Sequence, residues 1–322
     1  ARGVGEVQGL VMEEIAYACP STALGLAAHH SLATLPILLF GTEEQKRRFV
    51  PPLARGEMLG AFALTEPEAG SDAGGTRTTA TREADVWVLR GSKTFTTNGS
   101  RAGLFLVAAK SDPARTGPRG ISALLVERRT PGFSSGKTED KLGMRASDTA
   151  QVAFDACRVP AGNRLGTAHE GFPIFLHTLD GGRIGIAALA LGIAQAAFDR
   201  MVAYAKTRRA FGRPISALQA VANMVADTAV DLEAARHLVL HAARCRDAGR
   251  PFTMEAAAAK LFASEAAMRA THRAIQVHGG YGYMQEYEVE RMSCDAKLCT
   301  IGEGTSEIQR IVIARQVLGN VA

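Results

Sequence analysis

Aromatic residues are scarce in this sequence. They make up 6% of the 322 residues, and there is a single tryptophan. Proteins that bind single-stranded nucleic acid stack bases on aromatic side chains, so this scarcity argues against an RNA or DNA partner. The net charge is +5, and the positive residues are dispersed along the chain. We expect no nucleic-acid partner, whereas a phosphorylated small-molecule ligand would explain a mild basic excess.

Long, unbroken apolar runs are also absent, so we expect no segment that spans a bilayer and no membrane partner. The opening residues, ARGVGEVQGL, lack the charged-then-apolar layout of a secretory signal. The cysteines are odd in number and have no metal-ligand spacing; they are Cys19, Cys157, Cys245, Cys294 and Cys299. We therefore predict reduced thiols and no metal site, as in the bacterial cytoplasm or the mitochondrial matrix.

The pattern of hydrophobic residues, 47% of the chain, changes twice along the sequence. Residues 1–57 have helical spacing. Residues 58–167 contain short alternating or apolar runs separated by Gly, Pro, Asp and Ser, which predicts a β domain built as a barrel or a sandwich. Within it, Leu89–Lys93 has the composition of a hairpin connection. Residues 168–322 return to long helical patterns with short breaks, which predicts four helices in an antiparallel bundle.

One acidic residue near the end of the chain has an unusual setting. Glu303 lies between Gly302 and Gly304, just before an apolar run with helical spacing. Glycines allow a backbone to bend or to admit a ligand closely. Thr305 and Ser306 can cap the helix that follows. These residues alone favour a solvated glutamate in a loop and helix cap.

Seven strings stand out along the chain: LTEPEAGSDAGG at 64–75, KTFTTNG at 93–99, LGMRASDT at 142–149, LDGGR at 179–183, RRAFGRPI at 208–215, QVHGGYGY at 276–283 and IGEGTSEIQR at 301–310. Together they resemble the acyl-CoA dehydrogenase family. Their order and distances match the family over essentially the whole chain. The resemblance implies an α+β fold with N-terminal helices in 1–57, a β-barrel domain in 58–167 and an antiparallel four-helix bundle in 168–322.

The resemblance also implies roles for individual residues. It implies FAD contacts, partly with the FAD of a neighbouring subunit, for Leu64, Thr65, Ser71, Phe95, Thr96, Thr97, Arg208, Phe211, Gln219, Gln276, Gly279, Gly280, Thr305 and Glu307. It implies acyl-CoA contacts for Ser71, Asp180, Arg183 and Gly304. Glu303 is then the base that takes the α-proton, while flavin N5 accepts the β-hydride.

Some members carry the base just before the bundle's arginine, where this sequence has Gly182, so Glu303 is the better candidate. Three departures from the family pattern also bear on these roles. Phe95 replaces a frequent tryptophan and keeps an aromatic wall. Gly302 replaces a frequent tyrosine, which we expect to widen the acyl pocket. The family's opening helices, which help to close that pocket, are missing ahead of Ala1.

The predicted reaction is FAD-dependent α,β-dehydrogenation of an acyl-CoA to trans-2-enoyl-CoA, as in fatty-acid β-oxidation. We expect electron-transfer flavoprotein as the electron acceptor and a homotetramer as the assembly. An acyl-CoA oxidase, reoxidised by O₂, is the close alternative. A flavin monooxygenase of this fold needs no base at Glu303. A nucleic-acid-binding relative would carry an added basic domain, and this sequence ends at Ala322 directly after the bundle.

Overall fold

The computed structural model describes residues 3–319, so residues 1–2 and 320–322 of the predicted helical regions lie outside the described part. The chain divides into two compact units. The helical unit comprises the chain up to Leu24, the segment Lys141–Ala146 and the chain from Arg183 onward. The β unit comprises Gly25–Asp140 and Ser147–Gly182.

The α-helices stand at both ends of the sequence, as predicted. They are α1 (Val4–Ala18), α2 (Pro20–Ala27), α3 (Leu35–Phe40), α4 (Glu43–Ala54), α5 (Gly171–Thr207), α6 (Gln219–Asp247), α7 (Thr253–His278), α8 (Val289–Cys299) and α9 (Ser306–Leu318). A π-helical stretch, Ala28–Thr34, joins α2 to α3. The predicted order of helices, β domain and helices is confirmed.

The strands lie between α4 and α5, apart from one short hairpin. They are β1 (Gly60–Ala63), β2 (Thr79–Glu83), β3 (Val86–Thr97), β4 (Leu104–Lys110), β5 (Ile121–Glu127), β6 (Phe133–Thr138), β7 (Thr149–Pro160) and β8 (Arg164–Leu165). They form one mixed sheet in the order β6-β7-β3-β2-β4-β5-β8, with β1 parallel to β4. The hairpin, β9 (Arg209–Ala210) and β10 (Arg213–Pro214), follows α5.

Both faces of the sheet are buried, which explains why β4 reads as a continuous apolar run. Along β4, Phe105 and Val107 join one core cluster with Trp87. Leu104 and Leu106 point the other way and join a second cluster. Because strand side chains alternate between faces, one strand contributes to both cores.

The predicted hairpin connection at Leu89–Lys93 is wrong. These residues lie inside β3, and the register with β7 shifts between Leu89 and Gly91. Gly91 has a φ of +139°, and a Cβ built on it would lie 2.8 Å from the Cα of Thr78. The glycine therefore serves a β-bulge and a close backbone approach, not a turn.

Small residues and polar caps fix the packing of α1 in the helical unit. A Cβ built on Gly192 of α5 would lie 2.3 Å from the Glu13 carbonyl oxygen, so α1 and α5 approach closely there. The Asp247 carboxylate, at the end of α6, accepts hydrogen bonds from the backbone N–H groups of Gly5 (2.8 Å) and Glu6 (3.1 Å). An acidic group at a helix N-terminus satisfies free N–H donors and complements the helix dipole.

Helix α8 was not predicted as a separate element. Its buried side chains include Val289, Met292, Ala296 and Cys299, which share one face at helical spacing. The segment Lys141–Ala146 packs on α8, where the buried Asp295 carboxylate accepts a hydrogen bond from the Met144 backbone N–H. The string LGMRASDT is therefore divided, and its first part belongs to the helical unit.

Two helical segments, Pro20–Phe40 and Gly171–Thr207, are long and apolar enough to cross a membrane by length and composition, each with a mean hydropathy of 1.5. Neither segment was identified from the sequence alone. Half of the most apolar window in the first segment and 67% of that in the second are buried inside the protein. A core helix passes the same test, so length and composition are weak evidence for a membrane.

A buried ion pair fixes the loop that follows β1. The Lys93 ammonium lies 2.7 Å from a Glu66 carboxylate oxygen, and Lys93 is 0% and Glu66 6% exposed. Glu66 also accepts hydrogen bonds from the backbone N–H groups of Arg77 (2.7 Å) and Thr78 (3.0 Å). Burial lowers the pKa of Lys93 to about 8, against the opposing effect of Glu66. The pair therefore folds this loop onto β3.

Lys93→Met should destabilise the β unit by about 3–5 kcal/mol, because it leaves the Glu66 carboxylate buried without its partner. Trp87, the single tryptophan, lies in the core of that unit, so its fluorescence during urea denaturation reports the change. Lys137→Met, at an exposed lysine of β6, is the matched control. Equal denaturation midpoints for the two variants would contradict the importance of the pair.

Candidate active site

Glu303 lies on a strained turn between α8 and α9, the Glu303 turn (Thr300–Thr305). Its φ is +54°, in the left-handed region that costs a non-glycine residue about 1–2 kcal/mol. Gly304 follows with a φ of +96°, and a Cβ on it would lie 2.7 Å from the Gln309 side-chain nitrogen. The Thr305 hydroxyl accepts a hydrogen bond from the Ile308 N–H (3.3 Å) and caps α9. Glycine at 304 is therefore needed for both conformation and space.

Side chains from three helices hold the backbone carbonyl groups of this turn. Gln309 donates from its amide nitrogen to the carbonyl oxygens of Glu303 (3.2 Å) and Gly304 (2.9 Å). The Lys260 ammonium of α7 donates to the Gly304 carbonyl oxygen at 2.6 Å. Arg183 of α5 makes a long 3.5 Å contact with the Glu303 carbonyl oxygen. The turn is thus fixed through its backbone, which leaves the Glu303 carboxylate out of these bonds.

The Glu303 carboxylate has the burial and the pKa that would suit a proton acceptor. Its Oε2 atom is buried and has no hydrogen-bond partner within residues 3–319. Burial raises the pKa of Glu303 to about 7, while the charges of Lys260 and Arg183 oppose the rise. A carboxyl group with this pKa changes protonation state near neutral pH, which suits a general base.

The titratable neighbours of Glu303 are also buried. Burial lowers the pKa of Lys260 to about 8, with Cys299 and Glu303 opposing. Burial raises the pKa of Cys299 to about 12. At neutral pH the lysine is therefore mostly charged, whereas the cysteine is a neutral thiol without nucleophilic character. Cys299 is a free thiol, as predicted.

The β unit presents an exposed aromatic ring beside a buried hydroxyl. Phe95 is 68% exposed with a φ of +53°, at a register shift between Lys93 and Thr96. The Thr96 hydroxyl is buried and finds no partner in the described part of the chain. Thr97 ends β3. A flat ring with polar edges, such as a flavin, could stack on Phe95 and bond to a hydroxyl nearby.

The other predicted β-unit residues are placed differently. The Leu64 side chain is in the core and its carbonyl oxygen accepts a hydrogen bond from Lys93 (3.0 Å), so only its backbone N–H is left for a ligand. The Thr65 carbonyl oxygen accepts a hydrogen bond from the Thr94 N–H (2.8 Å). Ser71 is exposed on the loop, and Asp180 is half-buried on α5.

The helical unit brings part of the predicted FAD-contact set together. The Arg208 guanidinium lies 5.7 Å from the ring centre of Tyr281, the residue that follows Gly279 and Gly280 in the sequence. Phe211, at the β9–β10 turn, is 90% exposed with a φ of +50°. The remaining members are also exposed: Gln219 at the start of α6, Gln276 near the end of α7 and Glu307 in the first turn of α9. Exposed aromatic and cationic groups suit a phosphate-bearing ligand.

One group of possible metal ligands lies outside the predicted site. Ligand atoms of His241, Cys245 and Glu255 lie within 4.8 Å of one another. Arg250 donates a hydrogen bond to the Cys245 sulfur at 3.2 Å. A positive charge thus already lies beside the softest of the three donors, which disfavours a cation there.

Sequence reasoning missed the residues that support Glu303. Lys260 lies in the run AAAAKLFASEAA, where a single lysine among alanines is the signal that could have found it. A lysine in an otherwise apolar helical face is almost never fully buried unless its ammonium group has a partner. Gln309 belongs to the IGEGTSEIQR string, but a glutamine side chain alone did not indicate that it would bind the backbone of the Glu303 turn.

Glu303→Gln should change the pH dependence of stability. The raised pKa means that the folded protein favours the protonated carboxyl, so the parent loses stability as pH rises from about 4.5 to 7, by up to about 3 kcal/mol. Thermal unfolding of cofactor-free protein should show that the melting temperature of the variant rises relative to that of the parent as the pH increases from 5 to 7.5. A difference that stays constant with pH would contradict the raised pKa. Glu44→Gln, at an exposed glutamate of α4, is the control.

Comparisons with known proteins agree with this arrangement. Models of the N-terminal, middle and C-terminal domains of acyl-CoA dehydrogenases match residues 6–57, 61–157 and 169–318. A probable acyl-CoA dehydrogenase of Bacillus subtilis, YngJ, is 55% identical over 96% of this chain and 81% of its own.

Two solved structures are similar in fold as well as sequence. Butyryl-CoA dehydrogenase from Megasphaera elsdenii superposes with a TM-score of 0.95 and 48% identity, over 96% of this chain and 81% of the other. A chain in the structure of the electron transferring flavoprotein of Acidaminococcus fermentans, studied for flavin-based electron bifurcation, has the same TM-score and 48% identity, over 97% and 82%. The predicted family is confirmed, and the chain belongs to the acyl-CoA dehydrogenase family.

Proposed function

We propose that this protein catalyses the α,β-dehydrogenation of an acyl-CoA thioester, with Glu303 as the base. The observation that carries the proposal is the Glu303 carboxylate, which is buried, unpartnered in the described structure and has a pKa of about 7. In the reaction a proton leaves the α carbon and a hydride leaves the β carbon, and a trans double bond forms between them. FAD, when bound, supplies the hydride acceptor.

The chain's own residues position the proton transfer. Water exclusion around Glu303 strengthens its basicity, and the fixed backbone of the turn limits the motion of its side chain. The Glu303 backbone N–H donates no hydrogen bond within residues 3–319. It remains available to the thioester oxygen, where negative charge develops as the α-proton leaves. Gly304, without a side chain, allows the thioester to approach, and Asp180, Arg183 and Ser71 are the expected contacts of the CoA portion.

The groups described above in the two units would hold FAD. In the β unit these are the Phe95 ring, the Thr96 hydroxyl, Thr97 and the backbone of Leu64 and Thr65. In the helical unit they are Arg208, Phe211, Gln219, Gln276, Gly279, Gly280, Thr305 and Glu307. The unpartnered Thr96 hydroxyl and the exposed Phe95 ring support this assignment.

The substrate is a short acyl-CoA, and Gly302 broadens the range. The butyryl-CoA enzyme among the similar structures supports a short chain. A Cβ built on Gly302 would meet nothing closer than the Leu298 carbonyl oxygen at 3.6 Å, so this position has room for a side chain that the sequence does not use. We therefore expect branched or somewhat longer acyl groups to be accepted besides butyryl.

Electron-transfer flavoprotein is the proposed electron acceptor, supported by the similarity to a chain from such a system. We further propose a homotetramer without a membrane or nucleic-acid partner, in the bacterial cytoplasm or the mitochondrial matrix. The predicted domains, 1–57, 58–167 and 168–322, remain the proposed functional division, with FAD and acyl-CoA contacts in the second and the base in the third.

Anaerobic titration of the purified, FAD-loaded protein with straight and branched acyl-CoAs tests the function. Butyryl-CoA should bleach the yellow flavin absorbance. Admitting O₂ afterwards distinguishes the alternatives, because rapid recolouring indicates an oxidase and slow recolouring a dehydrogenase. A protein that binds no FAD, or that no acyl-CoA bleaches, would overturn the proposal.

Glu303→Gln should retain FAD yet slow the reduction by butyryl-CoA by at least about a thousandfold, because no group replaces the base. In the parent, the rate should rise with pH with a midpoint near 7, since the carboxyl must be ionised to accept the proton. Stopped-flow absorbance under anaerobic conditions measures both. An unchanged rate in the variant would refute the assignment, and Glu44→Gln serves as the control.

Arg208→Ala should weaken FAD binding at least about tenfold, because it removes a charged donor to an anionic cofactor. Ultrafiltration of reconstituted protein at increasing FAD concentration measures the affinity. Arg129→Ala, at an exposed arginine after β5, controls for the loss of a positive charge. If FAD affinity in Arg208→Ala equals that of the parent, Arg208 does not contact the cofactor.

A further inference from the structure

We propose that Lys260 is a positioning residue for the base: its ammonium group fixes the Glu303 turn through the Gly304 carbonyl and keeps the Glu303 carboxylate ionised. The inference rests on the proposed function and adds a residue to it. Lys260 belongs to none of the strings that carry the family resemblance, and it lies in the middle of α7, remote in sequence from Glu303.

The first argument is burial. Lys260 is 0% exposed, and its neighbours along α7 are mainly alanines, among them the buried Ala256, Ala257 and Ala263. An ammonium group taken out of water costs several kcal/mol unless hydrogen bonds and opposite charge compensate. The Lys260 ammonium donates a hydrogen bond to the Gly304 carbonyl oxygen at 2.6 Å. A residue retained at such a cost in an apolar face is placed for its charge or for that bond.

The second argument separates the charge from the bond. The Gly304 carbonyl also accepts a hydrogen bond from Gln309 at 2.9 Å, so it stays satisfied if Lys260 is removed. Nothing in Gln309 replaces the positive charge. Hydrogen bonding therefore has two sources at this turn, whereas the charge next to Glu303 comes from Lys260 and Arg183.

The charged and titratable groups that act on Lys260 come from α5, α8, α9 and the Glu303 turn. Glu303 and Glu307 lie on the turn and in the first turn of α9, and Arg183 lies on α5. Cys299 of α8 faces it as a neutral thiol, because burial raises the pKa of that thiol to about 12. Among these, Glu303 is the buried carboxylate that the ammonium can stabilise, since Glu307 is exposed and screened by water.

The direction of the effect follows from the signs of the charges. Burial favours the neutral carboxyl of Glu303, and the Lys260 charge favours the carboxylate. Removing the charge should raise the pKa of Glu303 above about 7, so that fewer molecules have an ionised base at neutral pH. Lys260 thus allows the base to be dry and still ionised under physiological conditions.

The test compares Lys260→Met with two matched variants in the anaerobic reduction of FAD-loaded protein by butyryl-CoA. Lys260→Met should move the midpoint of the pH–rate profile upward by about one unit, which is about a tenfold lower rate at pH 6. Lys260→Arg keeps the charge and should retain the parent midpoint. Gln309→Leu removes neutral donors from the same carbonyls and should slow the reaction without moving the midpoint.

A double-mutant cycle on cofactor-free protein gives a second readout. At pH 7.5, Glu303→Gln should raise the thermal midpoint by about one degree more in the Lys260→Met background than in the parent background, because the higher pKa of Glu303 in that background makes the buried carboxyl group costlier to fold at this pH. Lys260→Gln, which keeps an N–H donor for Gly304, takes the place of Lys260→Met if the latter does not fold, and the same shifts are expected.

The outcomes distinguish this inference from the proposed function. If the parent is reduced by butyryl-CoA but the midpoint and the double-mutant coupling are unchanged in the neutral variants, Lys260 is merely structural and the inference is overturned. If no acyl-CoA reduces the parent, the proposed function fails and the inference fails with it. An upward midpoint shift restored by Lys260→Arg supports both.

Discussion

A buried carboxylate oxygen, Glu303 Oε2, that has no hydrogen-bond partner in the described part of the chain is the constraint on which the candidate site depends. Hydrogen bonds to Glu303 would place its side chain firmly, but they would also stabilise the anion and weaken the base. The fold resolves this conflict by holding the backbone instead. Lys260, Gln309 and Arg183 contact carbonyl oxygens of the Glu303 turn. These contacts position the carboxylate without forming hydrogen bonds to it.

The same division between backbone placement and free functional groups recurs in the β unit. The Glu66–Lys93 pair forms the hydrogen bonds that hold the loop after β1. Glu66 accepts from the Arg77 and Thr78 backbone N–H groups, and Lys93 donates to the Leu64 carbonyl oxygen. Phe95 is then left exposed at the register shift in β3. In each unit, buried charge organises the backbone while the groups proposed to meet ligands stay unengaged.

Local patterns predicted the order of helices, strands and helices, because hydrophobic period is a property of neighbouring residues. Local patterns failed where the structure of a segment depends on residues that are distant in the sequence. Gly91 resembles a turn glycine, yet the strand beside it, at Thr78, makes it a bulge. The resemblance to the family pointed to Glu303, and a lone lysine among alanines was the signal for a buried Lys260. The contact of Lys260 with the Glu303 turn and the Glu66–Lys93 pair could not be inferred, since only the folded chain brings those groups together. Helix α8 was missed because it is short and half polar.

The thiol beside the base has a consequence for the durability of the protein. Cys299 is 1% exposed, and its pKa of about 12 keeps it almost wholly protonated in any cell. Oxidants and alkylating metabolites react with exposed thiolates, and this thiol offers neither the charge nor the access. Cys299 therefore lies next to Glu303 without exposing this part of the chain to sulfenic acid formation.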